Sequence, residues 1–280
     1  MHLQPSREDL IELTKLNPFD RFPDGRPYVP DDLLERLKLV TTEEAWGVLH
    51  KHGYDRQFEG NWKETHPGAI TVWRVVTAQF LPHRPDYHEA IQTAGVGEGR
   101  GQIGGQNSWI IESLQLRDVM VVDIFGKVKG GTVVGDNLGT ATRSRTRVGA
   151  VIDGGIRDYQ GLVQLTEVNF YVRGVDPTAI ADVTLAGINI PIRIGGTTVL
   201  PGDVMLGTPT GIIFIPPHLV SEVVETSEAI RVRDAFGKLR LHEGKYTSGE
   251  IDVPTWRQEI EVDFQEWRKA NGPMPKALLA

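Results

Sequence analysis

The chain has 280 residues, of which 40% are hydrophobic and 24% charged, with 37 acidic against 30 basic side chains and a net charge of −7. That is ordinary globular composition, and its acidity excludes a general nucleic-acid binder, which needs a basic face. There is no cysteine, which excludes disulfides, thiolate metal sites and cysteine nucleophiles.

The opening MHLQPSREDLIEL carries acidic residues and lacks the apolar core of a signal peptide. With no run of eighteen apolar residues to span a membrane, a cytoplasmic protein is expected. Residues 1–33 are polar and turn-rich and hold one helix from Ser6 to about Leu16, with Ser6 as its N-cap. They read as an extension that packs on the core or on a neighbouring subunit. VPDDLLERLKLV and TTEEAWGVLHKHG read as two helices, the second capped by Thr42, with Glu43 and Glu44 in its first turn and Gly53 beyond its end. His50 and His52 fall at that end, where a positive side chain complements the helix dipole.

From Ala69 the pattern changes to strand, in AITVWRVVTAQFLP. HRPDYHEA reads as a loop, because Pro85 separates His83 from His88 and keeps them off one helical face. The following GVGEGRGQIGG lacks the lysine and spacing of a phosphate-binding loop and reads as a glycine turn. SWIIESLQL is a helix, VMVVDIFG a buried strand, LGTATRSRTRV a helix, GAVIDGG a second buried strand, LVQLTEV a helix and NFYVRGV a strand. INIPIRIGGTTVLPGDVMLGTPTGIIFIPP is a series of short strands joined by Gly/Pro turns, and HLVSEVVETSEAIRVRDAFGKLRL is one long amphipathic helix. The tail after Lys245 is charged, ends in a helix and carries Trp256 and Trp267, which suggests docking. Alternating strands and helices define an α/β class.

The stretch that carries chemistry runs from Gly135 to Asp158, GDNLGTATRSRTRVGAVIDGGIRD. It opens a helix whose first amides, at Asn137 and Leu138, are unpaired and favour an anion such as a substrate carboxylate. It then crosses an apolar strand and stops at Arg157-Asp158. Residues at the carboxyl end of a strand in an α/β fold face the ligand crevice. There an Arg fork fits a carboxylate or enolate, and one Asp completed by water and substrate oxygens holds magnesium. Arg143, Arg145 and Arg147 alternate on a solvated helix face, with Arg145 a second anion contact.

Asp136 and Arg157 are separated by twenty residues, and Asp158 follows at once. This D-x20-R-D pattern resembles the signature of the RraA-like family, which holds class II 4-hydroxy-4-methyl-2-oxoglutarate/4-carboxy-4-hydroxy-2-oxoadipate aldolases, oxaloacetate decarboxylases and regulators of ribonuclease activity. GQNSWIIESL is similar to the family's helix start, VIDGGIRD to its strand end, and LPGDVMLGTPTGIIFIPP to its hairpin. The resemblance runs from about Leu34 to Gly244. It implies a β/β/α swivelling-type sandwich core over 34–245 and homotrimers or homohexamers, which leaves 1–33 as an N-terminal extension and 246–280 as a C-terminal tail docked on the core or a neighbouring subunit. Asp158 would hold Mg²⁺ or Mn²⁺, mostly through waters, Arg157 would bind the pyruvyl oxygens, and Asp136 would orient water on the metal. Gly105, Gln106 and Asn107, with Gly135, Asn137 and Leu138, would border the substrate. Asp234, or failing it Glu228, would reach the site from a neighbouring subunit.

Three features depart from the pattern. Thr208-Pro209-Thr210-Gly211 stands where the family usually has an Asp, GGQN replaces G-D-N, and residues 61–71 and both termini exceed the usual length. The implied activity is a metal-dependent pyruvate lyase, an aldolase or decarboxylase on a small 2-oxo acid, with no nucleic-acid or membrane partner. Lys127 and Lys129 lie near in sequence, but this chemistry needs no Schiff base. The alternatives are a non-catalytic, protein-binding regulator of ribonuclease activity and a same-fold enzyme acting on sugar-derived 2-oxo acids.

Overall fold

The computed structural model describes residues 2–272; Met1 and the end of the expected tail, 273–280, lie outside them. The chain divides into two compact units, Met1–Ser221 and Glu222–Ala280. No described helix is long and apolar enough to cross a membrane.

The first unit begins with α1 (Arg7–Leu13), α2 (Asp31–Leu37) and α3 (Thr42–Lys51), then the two-residue strands β1 (Phe58–Glu59) and β2 (Lys63–Glu64). The long strand β3 (Thr71–Pro82) leads to α4 (Pro85–Gly97), α5 (Gln106–Ser113), β4 (Asp118–Asp123), β5 (Thr132–Val134), α6 (Asp136–Thr146) and β6 (Gly149–Ile156). After α7 (Tyr159–Leu162) come β7 (Asn169–Val175), β8 (Val183–Ile188), β9 (Ile192–Ile194), β10 (Thr197–Val199), β11 (Val204–Thr208) and β12 (Gly211–Ile215). α8 (Val220–His242) runs on into the second unit, which adds α9 (Ser248–Ile251) and α10 (Gln258–Asn271).

The expected α/β class holds, with a ten-stranded mixed sheet as its core. The strands run β1-β12-β11-β3-β4-β6-β7-β2, with β5 added to β6 and β8 to β3. β3, β4, β6 and β7 are parallel, and β5 joins β6 beyond the point where β4 stops. Val76, Ala78, Met120, Val122, Ala150, Ile152, Phe170 and Val172 pack one face against Ile91, Trp109, Ile110 and Leu162 from the helices. The alternate residues Thr77, Val121, Val151 and Tyr171 are buried on the other face. Strands covered on both faces read as continuous apolar runs, so they stood out in the sequence.

The N-terminal extension packs on this core. Leu3 joins the helix-side cluster, Arg26 and Asp118 form a buried ion pair at 3.1 Å, and Arg74 donates to the Val29 carbonyl and pairs with Asp31.

Three local expectations are corrected. Thr41, not Thr42, caps α3, because its hydroxyl accepts from the Glu44 amide while Glu44 bonds back to the Thr41 amide. HRPDYHEA is not a loop but the start of α4, with Pro85 in the first turn, where a missing N–H costs no helical bond. LVQLTEV is not a helix beyond Leu162, since the chain leaves α7 in turns and Glu167 takes a left-handed φ of 68°.

In the second unit Phe236, Trp256, Ile260 and Phe264 form a core against which Trp267 packs. The tail's tryptophans therefore dock on the later part of α8. Asp263 accepts from Arg240 at 2.6 and 2.8 Å and from Lys245 and Tyr246. The Arg240 bonds, with those of its two neighbours, pull the Asp263 carboxyl down to about 2.

Candidate active site at the carboxyl end of the parallel strands

The short parallel strand β5 ends at Val134, and β6 beside it ends at Ile156, their last residues in register. The Arg157 amide donates to the Val134 carbonyl at 3.0 Å. This bond ties the chain leaving β6 to the chain about to enter α6. Gly135, the N-cap of α6, has ordinary extended backbone, so its need for glycine is spatial. A Cβ there would lie 3.0 Å from Arg157 Nε and 3.1 Å from its Cγ, and would overlap Asp158 Oδ2. The twenty-residue spacing is thus one helix and one strand that return the chain to its own starting point.

Arg157 Nε and Asp158 Oδ2 are 3.5 Å apart, and the two side chains are 46% and 43% exposed, so the pair remains open to ligand. Asp158 has a left-handed backbone, φ 53° and ψ 38°, before α7. A non-glycine residue there costs about 1 kcal/mol or more and needs outside support. Support comes from the next residue, whose Tyr159 hydroxyl donates to the Glu64 carbonyl at 2.9 Å while Lys63 sits 4.8 Å over its ring. Asp136 packs against the α7 turn, where a Cβ on Gly161 would lie 2.9 Å from the Asp136 Cβ.

A cavity of about 80 Å³ lies against this corner, lined by Asn107, Gly135, Asp136, Leu138, Arg157 and Ile180 among others. It has room for a carboxylate group or a few waters. The Asn107 side chain donates to the Val133 carbonyl at 2.9 Å, which fixes the α5 rim to β5.

The structure brings together Gly135, Asp136, Asn137, Leu138, Arg157, Asp158 and Asn107, with Gly105 capping α5 beside Asn107. Other expectations it places elsewhere. The Asn137 amide donates to Asp136 Oδ1 at 2.7 Å and is engaged by its own neighbour. Gln106 turns into the core, 7% exposed, and accepts from the Leu185 amide at 2.7 Å. Arg145 stands nine residues along α6 from Asp136, about 13 Å at the helical rise, and pairs with Glu112. It is therefore no second anion contact here. Lys127 donates to the Ala181 carbonyl at 2.6 Å. Asp234 faces Lys238 one turn along α8 at 3.8 Å, and Glu228 lies on the same helix. The sequence reading missed Tyr159, Gly161 and Ile180. Gly161 had a signal, a glycine in a helical turn three residues past the aspartate.

The donors at this corner are oxygens, from Asp136 and Asp158, and no group of three or more His, Asp or Glu side chains gathers among the described residues. Such a set fits a hard divalent cation held by one or two carboxylates, water and substrate. It does not suit the nitrogen-rich closed set of a structural zinc.

Fold and site define a mixed-sheet α/β protein in which an arginine and two carboxylates meet at the carboxyl ends of parallel strands. The RraA-like family model, described as Aldolase/RraA, matches residues 32–214, and the chain belongs to that family. It is 29% identical over 119 residues to a Halalkalibacterium halodurans protein with the provisional name 4-hydroxy-4-methyl-2-oxoglutarate aldolase, covering 42% of this chain and 55% of that one. It is 27% identical over 217 residues to protein DlpA of Legionella pneumophila, covering 76% of this chain and 32% of that one. An uncharacterised Methanocaldococcus jannaschii protein is 26% identical over 127 residues, 45% of this chain and 61% of the other. The chain thus spans a third to three fifths of the length of these relatives. A Streptomyces coelicolor structure, an unusual member of the RNase ES inhibitor RraA family, superposes with a TM-score of 0.64 at 23% identity over 80% of this chain and 100% of that one. An uncharacterised Pseudomonas syringae protein gives 0.65 at 22% identity over 84% and 97%. These likenesses establish the fold.

Proposed function

We propose that the protein is a divalent-metal-dependent pyruvate lyase that cleaves or decarboxylates a 2-oxo acid at the Arg157–Asp158 corner. The observation that carries this reading is the close approach of Arg157 and Asp158 over Gly135. It sets a fixed cation and a hard-metal ligand side by side, both open to solvent. Breaking the bond beside the keto group of a 2-oxo acid leaves the enolate of pyruvate. Arg157 binds its oxygens and opposes the negative charge as it develops. Asp158, with Asp136 behind it, is the ligand for Mg²⁺ or Mn²⁺, whose contribution is Lewis-acid stabilisation of the same charge. Asp136 holds the α6 entry through its bond to the Asn137 amide and positions a proton-accepting water by its other oxygen. The Leu138 amide and the Asn107 rim border the substrate carboxylate. Aldol cleavage of a 4-hydroxy-2-oxo acid and loss of CO₂ from oxaloacetate pass through the same enolate, so one site serves both. Asp234 or Glu228 from a neighbouring copy in a trimer or hexamer completes the wall, and the protein works in the cytoplasm.

The test is pyruvate release from oxaloacetate and from 4-hydroxy-4-methyl-2-oxoglutarate by metal-stripped protein, then with Mg²⁺ or Mn²⁺ restored. The expected result is metal-dependent turnover that Arg157→Ala reduces by about 10²–10³. Metal binding without turnover on either compound would move the substrate to sugar-derived acids. Absence of metal binding would leave the protein-binding, regulatory reading.

A further inference from the structure

At the other end of the sheet lies a larger cavity that the proposed chemistry does not use. Its volume is about 410 Å³, within the range of small-molecule sites, and it is lined by Leu13, Leu16, Leu200, Asp203, Pro216 and His218 among others. Val204, next to Asp203, pairs with Arg74 on β3, and Arg74 pairs with Asp118, the first residue of β4. The cavity therefore opens at the amino ends of the parallel strands, remote from Arg157.

Most of its wall surface is apolar, and Asp203 is its one acid. Asp203 is only 3% exposed, and among the described residues its carboxylate has one donor, the Leu200 amide to Oδ2 at 2.8 Å. Several other polar groups of the wall already have partners. Thr14 bonds Arg21 and Leu10, Asn17 bonds Phe19, Lys15 bonds Glu12, and the Tyr54 hydroxyl meets His218 Nε2 at 3.3 Å. Gln57, in the same wall, has a buried Oε1 with no hydrogen-bond partner. Among the described residues, no side-chain donor of the wall bonds to the Asp203 carboxylate. Unmet acceptors in apolar surroundings are costly unless a donor arrives, and a buried carboxylate is best met by a cation.

We propose that this cavity binds a small primary amine, its ammonium on Asp203 and its apolar body among Leu13, Leu16, Leu200 and Pro216. Burial pushes the Asp203 carboxyl up to about 7, so seating an ammonium there displaces a proton and tightens binding as pH rises past neutrality. A free branched amine and a lysine side chain share this chemistry.

Calorimetric titration at pH 8 with isoamylamine, with its acid counterpart isovalerate and with end-capped lysine tests the proposal. Saturable binding of isoamylamine or capped lysine, and none of isovalerate, is expected. The better of the two binders identifies a free amine or a lysine side chain as the source. Asp203→Asn keeps the acceptor for the Leu200 amide and weakens binding by about tenfold or more. Leu16→Trp, at a side chain 62% exposed, fills the mouth without touching the core and weakens it similarly. Should Asp203→Asn fail to fold, Leu16→Trp decides. Equal binding of isovalerate, no saturable binding by the wild type at about 10 mM amine, or wild-type affinity in the folded variants overturns the proposal.

Discussion

Gly135→Ala separates the geometry of the site from the stability of the fold. The backbone at Gly135, φ −116° and ψ −169°, suits alanine, so the perturbation is the added methyl alone. That carbon would stand 3.0 Å from Arg157 Nε and overlap Asp158 Oδ2, against a comfortable separation of about 3.5–4.0 Å. The guanidinium must retreat by about 0.5 Å and the carboxylate by about 1 Å. Both groups are side-chain ends nearly half exposed, so they swing aside cheaply. The stability cost is about 1 kcal/mol, mostly the poorer N-cap. A 1 Å misplacement of a reacting group costs about 10²-fold in rate, or about 2.7 kcal/mol in barrier. The assay is metal-dependent pyruvate release paired with a thermal melt. A variant that melts within a few degrees of wild type yet loses about 10² in kcat/KM is expected. Full activity in a natively folded Gly135→Ala would refute the idea that Arg157 and Asp158 act from their observed positions.

Asp158→Asn should lower metal-dependent turnover by 10² or more while leaving the melt unchanged, checked by activity against metal concentration. Gly95→Ala would drive a methyl into the buried Trp109 ring, 3.0 Å from Cζ2 with two ring atoms nearer; overpacking should cost about 1–3 kcal/mol by denaturant titration. Asp203 has a folded value of about 7 against an ordinary 3.8, so its protonated form stabilises the fold below pH 4 and that stability is lost as pH rises through 7. Asp203→Asn should therefore melt above wild type at pH 8, with the gap closing toward pH 4. Asp263 is depressed to about 2, so its contribution is present above about pH 4 and lost as pH falls through 2. Asp263→Asn should destabilise the second unit at pH 7 and make no difference near pH 2, read by tryptophan fluorescence.

The elements legible in the sequence were those buried on both faces or strongly periodic. β3, β4 and β6 announced themselves as apolar runs, α8 as a long amphipathic pattern, and Ser6 as a cap, which the structure closes with Asp9. The D-x20-R-D spacing was legible only as a family resemblance; the structure gives its reason, one helix and one strand that return Arg157 to Gly135. What failed was decided by tertiary context. Pro85 reads equally as a breaker or as a helix start, and only α4's packing chooses. Gln106 sits one residue from the rim, yet the phase of α5 turns it inward to the β8 backbone. Arg145 looked near Asp136 in sequence, but eleven residues of continuous helix carry it to the opposite end. The buried Arg26–Asp118 pair joins positions 92 apart and leaves no local trace.

The most direct test of the enolate claim needs no knowledge of the natural substrate. Pyruvate incubated with the protein in D₂O should exchange its methyl protons, followed by proton NMR, when Mg²⁺ or Mn²⁺ is present. The exchange should stop when metal is chelated and fall by about 10² or more in Arg157→Ala. No exchange above the buffer rate with metal bound, or exchange undiminished in the folded variant, would contradict enolate stabilisation at this corner.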